Sequence, residues 1–236
     1  MRMPRREQKK RKVENEEEKF VESEEETTLE WVPLTEGGRL VKNGEISTLD
    51  EYFNRGLKVM EPEIVDILVP ELKSKLIEFK KTARITRQGR NFSYRATILV
   101  GDENSYVGVG TGKDKERVPA IQKATRAAKM ALVKVKKGCG SWECRCNEKH
   151  SVPFKVVGKH SSIEVTLMPA PRGTGLVVGD AIKDVLSFVG IKDVWSKTKG
   201  NTNSTLEFVS ATIKALMKTN KVKLSEEMKR KIGEQQ

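Results

Sequence analysis

Histidine and cysteine are scarce in this 236-residue chain: two histidines, and three cysteines that all fall between Gly138 and Ser151. So few histidines, among scattered carboxylates, give no spacing that singles out an acid/base pair or a nucleophilic triad. Long apolar runs are also missing. None approaches the roughly 20 residues of a membrane span, and the N-terminus has a basic stretch and glutamates where a signal peptide needs an apolar core. Repeats of solenoid length are absent. Glycines are present without the spacings of phosphate loops. Gly108, Gly110, Gly112 and Lys113 would need a glycine at 107 and Ser or Thr at 114, where Val107 and Asp114 stand. Gly173, Gly175 and Gly179 miss the dinucleotide fingerprint by one residue. Tight turns and close backbone approach account for these glycines instead.

What the chain has is positive charge. The formal net charge is +12, unevenly spread: residues 1–30 hold eight Lys/Arg against ten Asp/Glu, and the remainder holds 37 against 23. A surplus of 14 on the body points to phosphate polymers or anionic surfaces. Without a membrane segment, nucleic acid is the stronger expectation. Three clustered cysteines cannot all pair within one chain, which implies reduced thiols and a cytosolic setting.

Residues 1–29 are a basic piece followed by an acidic one, with too few apolar residues to bury, and should form a disordered charged tail. Residues 30–70 alternate turn residues with short apolar pieces. They read as an extended arm with one short helix, opened by the capped start Ser47-Thr48-Leu49-Asp50-Glu51. Residues 71–138 give three antiparallel strands, with turns at Gly89-Arg90-Asn91 and Gly101 to Asn104, and then a helix. That helix places Val118, Ile121, Ala124 or Thr125, Ala128 and Leu132 on a buried stripe, and Gln122, Arg126 and Lys129 on another. After a Cys/His loop at 139–152, residues 153–219 read as β-β-α-β-α, and 220–236 as a charged tail. The fold class expected is α+β, in two small domains.

Four basic patches sit at element ends. The first hairpin carries Arg87, Gln88, Gly89, Arg90, Asn91 and Arg95 with two aromatics. Arginine forks and amides suit phosphate oxygens, while aromatic faces stack on bases or fill a core. Strand alternation puts Phe92 and Tyr94 on one face and Arg95 on the other, which favours core for the aromatics. Lys113, Lys115 and Arg117 lead into a helix start. Arg172 stands beside a glycine turn, and Lys197, Lys199, Asn201 and Asn203 form the fourth patch. Together with Arg126 and Lys129 these are the candidate RNA contacts. Any one patch could be a solvated face; four on loops favour nucleic acid.

GRNFSYRATILVGDENSYVGVGTGKDKERVPAIQKATRAAK resembles the signature region of the small-subunit ribosomal protein family S-five, called S-two in eukaryotes. PAPRGTGLVVGDAIKDVL and KGNTNSTLEFVSATIKAL resemble its C-terminal half. The likeness covers about residues 30–218, and the arm and the cysteine insert are similar to the archaeal branch. The resemblance implies a non-enzymatic ribosomal protein: a double-stranded-RNA-binding-like β-β-β-α domain, then a small α+β domain of a superfamily shared with certain kinases. It implies binding to small-subunit rRNA, with Arg87, Gln88, Gly89 and Arg90 matching the family's loop into rRNA. It further implies contact with incoming messenger RNA and with the neighbouring proteins S-four and S-eight, and roles in subunit assembly, decoding accuracy and messenger unwinding in the cytoplasm. No membrane and no small-molecule substrate are implied. Relatives usually have a small residue at Asp114 and apolar or glycine residues at Arg117 and Val118; the acidic block at 14–26 also lies outside the family's core. A free-standing double-stranded-RNA regulator and a phosphotransferase acting at Gly173 to Gly179 are the competing readings.

Cys139, Cys144, Cys146 and His150 form C-x4-C-x-C-x3-H, a ligand set for structural zinc. Cys144 and Cys146 stand closer than the common C-x2-C, so one ion needs extended backbone there with Arg145 turned away. A reduced loop with Trp142 packed and the thiols idle is the alternative.

Overall fold

The computed structural model describes residues 31–144, 146 and 148–221. The charged tail expected at 1–29, most of that expected at 220–236, and Arg145 lie outside the described residues. Backbone contacts divide the chain after Pro70.

Among the described residues the first unit contains three short helices, α1 (Glu36–Lys42), α2 (Leu49–Asn54) and α3 (Pro62–Leu68), where the sequence suggests an arm with one. Thr35 caps α1 by accepting from Gly38 N, and Thr48 caps α2 by accepting from Glu51 N. Pro62 occupies the first turn of α3, where no backbone N–H is needed. Val41, Ile46, Leu49, Tyr52, Val59, Ile64 and Val65 are buried, so the segment has apolar packing of its own. Helices of six or seven residues are too short for a 3.6-residue stripe to repeat, so α1 and α3 are hidden in the sequence and α2 shows only through its cap.

The second unit is built on two sheets. The first, in order β1-β2-β3-β4 and antiparallel throughout, comprises β1 (Lys73–Thr86), β2 (Gly89–Gly101), β3 (Tyr106–Asp114) and the two-residue β4 (Val133–Lys134), with α4 (Arg117–Met130) between β3 and β4. The second sheet comprises β5 (Val156–His160), β6 (Ile163–Pro169), β7 (Leu176–Val177) and β8 (Val194–Lys199), in order β5-β6-β8-β7. Helix α5 (Asp180–Val189) connects β7 to β8, which run parallel, and α6 (Thr205–Asn220) follows β8. The fold is α+β.

Strand alternation splits the first sheet between two layers. Ala96, Ile98 and Val100 of β2 pack on Ala124 and Ala128 of α4. Leu99 and Val107 point the other way, into a cluster with Ile182, Val185, Leu186 and Val189 of α5, Val209 and Leu216 of α6, and Val165 and Leu167 of β6. The cores on either side of the Cys/His loop are thus continuous.

Helix α4 buries most of the stripe read in the sequence, with Ile121 packed on the core and Leu132, just past its end, buried, but it is rolled toward Ala120 and Lys129 and away from Val118. Its buried residues are Ala120, Ala124, Thr125, Ala128 and Lys129, while Val118 is half exposed. The cause lies on β3. A Cβ on Gly108, Gly110 or Gly112 would come within 2.4 Å of helix backbone at Ala128, Ala124 or Ala120. The helix therefore rests directly on the strand, and only its alanine face fits. Gly158 on β5 repeats the device, its absent Cβ lying 2.1 Å from the Ala211 carbonyl oxygen of α6.

Among the described residues no helix is long and apolar enough to cross a membrane. Replacing Gly110 by valine forces helix and strand apart and should cost about 3 kcal/mol or more. Thr111→Val, on the exposed side of the same strand, should stay within about 0.5 kcal/mol. Urea unfolding of both variants checks the contrast.

Candidate nucleic-acid interface

The β1–β2 hairpin outruns its neighbour. Strand β3 ends at Asp114, opposite Tyr94, while the hairpin continues through Ser93 to a two-residue turn at Arg87-Gln88. Five further residues per strand carry the turn about 16 Å beyond the sheet. Gly89, with φ of 117°, makes the tight reversal, and Thr86 Oγ1 donates to the Gly89 carbonyl at 3.0 Å. Arg87, Gln88, Gly89, Arg90 and Asn91 are all exposed.

Past the end of β3 there is no core for the hairpin aromatics, and the expectation that they are buried fails for Phe92. It is 46% exposed, with the Lys81 ammonium 3.8 Å from its ring centroid. Tyr94 is half-buried, stacked on Phe79 at 5.6 Å, with the Arg117 guanidinium 5.5 Å away. Ile85, near the tip, is 77% exposed. One hairpin face thus mixes cations with flat apolar surface, the chemistry that stacks on bases.

The other face carries Arg95, cross-strand from Lys80 on β1 and from Lys113 on β3. Thr82, Arg95, Thr111, Gly112 and Lys113 line an open depression of about 330 Å³. Glu78 lies on the same face, 2.6 Å from Lys80 Nζ, and accepts from Thr205 Oγ1 at 2.8 Å. Burial raises the Glu78 carboxyl, but hydrogen bonds from Lys80 and Thr205 and the charges of Lys80 and Arg95 outweigh it and hold the group below its ordinary range. The Thr205 contact brings the start of α6, and so the loop holding Asn201 and Asn203, alongside the hairpin. Lys197, Lys199 and Asn201 are exposed there.

At the start of α4, Lys115 and Arg117 are exposed, but Asp114 occupies the corner, accepting from Lys115 N at 2.6 Å and pairing with Lys123 at 2.5 Å. Arg126 is exposed on α4. Lys129, expected beside it, is only 7% exposed. It lies one turn from Thr125 on the sheet side of the rotated helix, so it does not belong to an RNA-facing stripe.

Cys139, Cys144, Cys146 and His150 converge, their ligand atoms all within 4.8 Å of one another. Sulfurs of Cys144 and Cys146 are 3.0 Å apart, and Cys144 Sγ lies 3.7 Å from His150 Nε2. Trp142, proposed in the idle-loop alternative as a packed side chain, is 90% exposed. A residue that sequence reasoning missed holds the imidazole. Asp193 Oδ2 is 2.8 Å from His150 Nδ1, both side chains being buried, and Asp193 Oδ1 accepts from Gly173 N at 3.0 Å and Gly175 N at 2.8 Å. Forty-three positions separate the pair in sequence, so no local spacing could reveal it. Arg172 pairs with Glu148 at 3.1 Å across the same junction. The Gly173 and Gly175 N–H groups that a phosphate loop would offer are already taken by Asp193, which argues against a nucleotide site there.

The four side chains can hold a metal ion. Without a bound ion, Cys144 is held down to about 6 by its hydrogen bond with Cys146 and by the backbone N–H groups of Arg172 and Cys146, whereas burial pushes Cys139 up to about 12.

A β-β-β-α layer with a projecting basic hairpin is the arrangement of the double-stranded-RNA-binding-like class. Comparison with known proteins narrows this. Residues 72–136 match the family "Ribosomal protein S5, N-terminal domain" and residues 158–231 match "Ribosomal protein S5, C-terminal domain". The chain is 53% identical over 197 residues to the small ribosomal subunit protein uS5 of Hyperthermus butylicus, covering 83% of this chain and 92% of that one. It is 48% identical over 216 residues to uS5 of Methanococcus maripaludis, covering 92% and 94%. For uS5 of Methanocaldococcus jannaschii the identity is 48% over 204 residues, covering 86% and 94%. The chain belongs to the ribosomal protein S5 family, structural proteins rather than enzymes.

In reduced, metal-free protein at neutral pH, Cys144 is above its pKa of about 6 and ionised, while Cys139 is well below its own of about 12 and protonated. Iodoacetamide should therefore modify Cys144 before Cys139. Peptide mass spectrometry over a time course checks the order; equal rates would contradict it.

Proposed function

We propose that this protein is a structural component of the small ribosomal subunit that grips rRNA chiefly through phosphates. The observation that carries the reading is the hairpin, a basic finger standing clear of the fold on a chain of the S5 family. Arg87, Arg90 and Asn91 at its tip, Arg95 and Lys113 at its base, and Lys115, Arg117, Arg126, Arg172, Lys197, Lys199 and Asn201 around it form the contact set. Subunit assembly, decoding accuracy and handling of incoming messenger RNA in the cytoplasm are the roles this arrangement serves, with S-four and S-eight as protein neighbours. A regulator of generic duplexes is less well supported, because family membership spans both halves of the chain.

Sedimentation of native lysate through sucrose at moderate salt is the test. The protein should travel with small subunits and whole ribosomes; recovery only in light fractions would overturn the reading. Arg87→Ala/Arg90→Ala should shift an appreciable share to the light fractions.

The ion suited to Cys139, Cys144, Cys146 and His150 is zinc. Three sulfurs and one nitrogen are a common closed structural set, and a carboxylate on the far nitrogen of the histidine fixes Nε2 as the free ligand atom. Protein purified under reducing, chelator-free conditions should contain one zinc per chain. Cys146→Ser should lose it, and Asp193→Asn should weaken it roughly 10–100-fold in a competition titration.

A further inference from the structure

Three thiols crowd one loop, and their spacing supports a chemistry besides metal binding. Cys144 Sγ and Cys146 Sγ are 3.0 Å apart, and Cys139 Sγ lies 3.5 Å from Cys146 Sγ. Contact this close puts a second sulfur within attacking distance of any sulfur that becomes oxidised, the arrangement of a peroxide-reactive cysteine beside its resolving partner. Access to the loop is open. All three cysteines are partly exposed, and Gly140, Trp142, Glu143, Glu148 and Lys149 around them are exposed. What positions the loop is not made of sulfur. Its base is closed by the backbone hydrogen bonds between Gly138 and Ser151, at 2.8 and 2.9 Å, and its far end is held by the 2.8 Å contact of His150 with Asp193. The sulfurs are therefore free to change their bonding while the loop stays in place.

We infer that Cys144 and Cys146 are a site of reversible oxidation, at which a small hydroperoxide closes a disulfide and the loop gives up its metal ion. The thiolate of one cysteine attacks a peroxide oxygen, so that an S–O bond forms, the O–O bond breaks and hydroxide leaves. The thiolate of the other attacks that sulfur, so that the S–S bond forms, the S–O bond breaks and a second hydroxide leaves. Each sulfur loses one electron and each peroxide oxygen gains one. Cys144 and Cys146 are the pair because theirs is the shorter contact. Cys139 and His150 remain, two donors where a closed zinc site takes four. A dithiol reductant reverses the exchange and restores the full donor set. Loss of the ion rests on the zinc reading above, whereas the disulfide rests on the sulfur positions alone.

Full-length protein, purified under reducing, chelator-free conditions and then freed of reductant, is analysed for zinc and treated with one equivalent of hydrogen peroxide. Trypsin cuts after Lys137, Arg145 and Lys149, which leaves Cys139 and Cys144 on one peptide and Cys146 on the next. A bond to Cys146 joins two peptides that reduction separates, and fragmentation of the joined species shows which cysteine holds it. The bond should be found at Cys144, with one zinc freed to a chromogenic indicator for each bond formed and none freed without peroxide. Dithiothreitol with added zinc should restore the starting zinc content, and Cys139→Ser should still yield joined peptides. Peptides that stay separate, a bond at Cys139 in place of Cys144, or sulfinic acid as the main product would overturn the inference, as would zinc retained by protein whose peptides are joined. Protein that holds no zinc at the outset sinks the zinc reading, and joined peptides in that protein would still support the thiol pair.

Discussion

Direct seating of helix on strand is the constraint from which the rest of the second unit follows. Gly108, Gly110 and Gly112 leave no side-chain layer between β3 and α4, and Ala120, Ala124 and Ala128 meet that backbone with the smallest side chains that still favour a helix. At such separation a single methyl group decides whether the two elements touch. The contact fixes the roll of α4, and with it the fate of its side chains: Arg126 outward, Lys129 inward, and Arg117 over Tyr94 at the hairpin base. Gly158 against Ala211 and Ala215 imposes the same closeness where β5 meets α6. At these two contacts backbone meets backbone, and the glycines and alanines leave no room for longer side chains between the elements.

Much of this was legible in the sequence where the signal is local. The hairpin, the Thr48 cap and the two β-then-α halves depend on turn residues and periodicities a few positions long, and they stand where those patterns put them. The roll of α4 was not legible, because apolar periodicity favours Val118 and takes no account of glycines on a neighbouring strand. Helices α1 and α3 of the first unit escaped for want of length. Phe92 was misassigned because alternation reports which face a side chain takes, not whether anything covers that face; coverage depended on β3 ending at Asp114. The cross-strand alignment of Lys80, Arg95 and Lys113 and the contact of Asp193 with His150 belong to a third kind, pairings between distant segments that only strand register and chain folding create.

Asp193 has a reach greater than its size suggests. One carboxylate receives the imidazole of His150 on one oxygen and two backbone N–H groups of the 173–175 turn on the other. The Cys/His loop is not a slack connection between two halves but is tied into the second sheet at the first residues before β8. The Gly138–Ser151 bridge closes the loop at its base, so its position is set from both ends before any ion is considered.

The projecting hairpin has another side to it. Beyond Tyr94 the outer edge of β2 has no strand beside it among the described residues, and β1 is an edge strand along its whole length. An extended, partly apolar ribbon with open backbone donors and acceptors is a template on which another copy could add a strand. Here the edges bear Lys75, Lys80, Lys81, Arg84 and Arg90, and two such ribbons approaching each other meet their own charge. The same cations that suit the hairpin to a polyanion also guard it against itself during the interval between synthesis and incorporation. A ribbon so charged can be carried on a free protein without seeding aggregates.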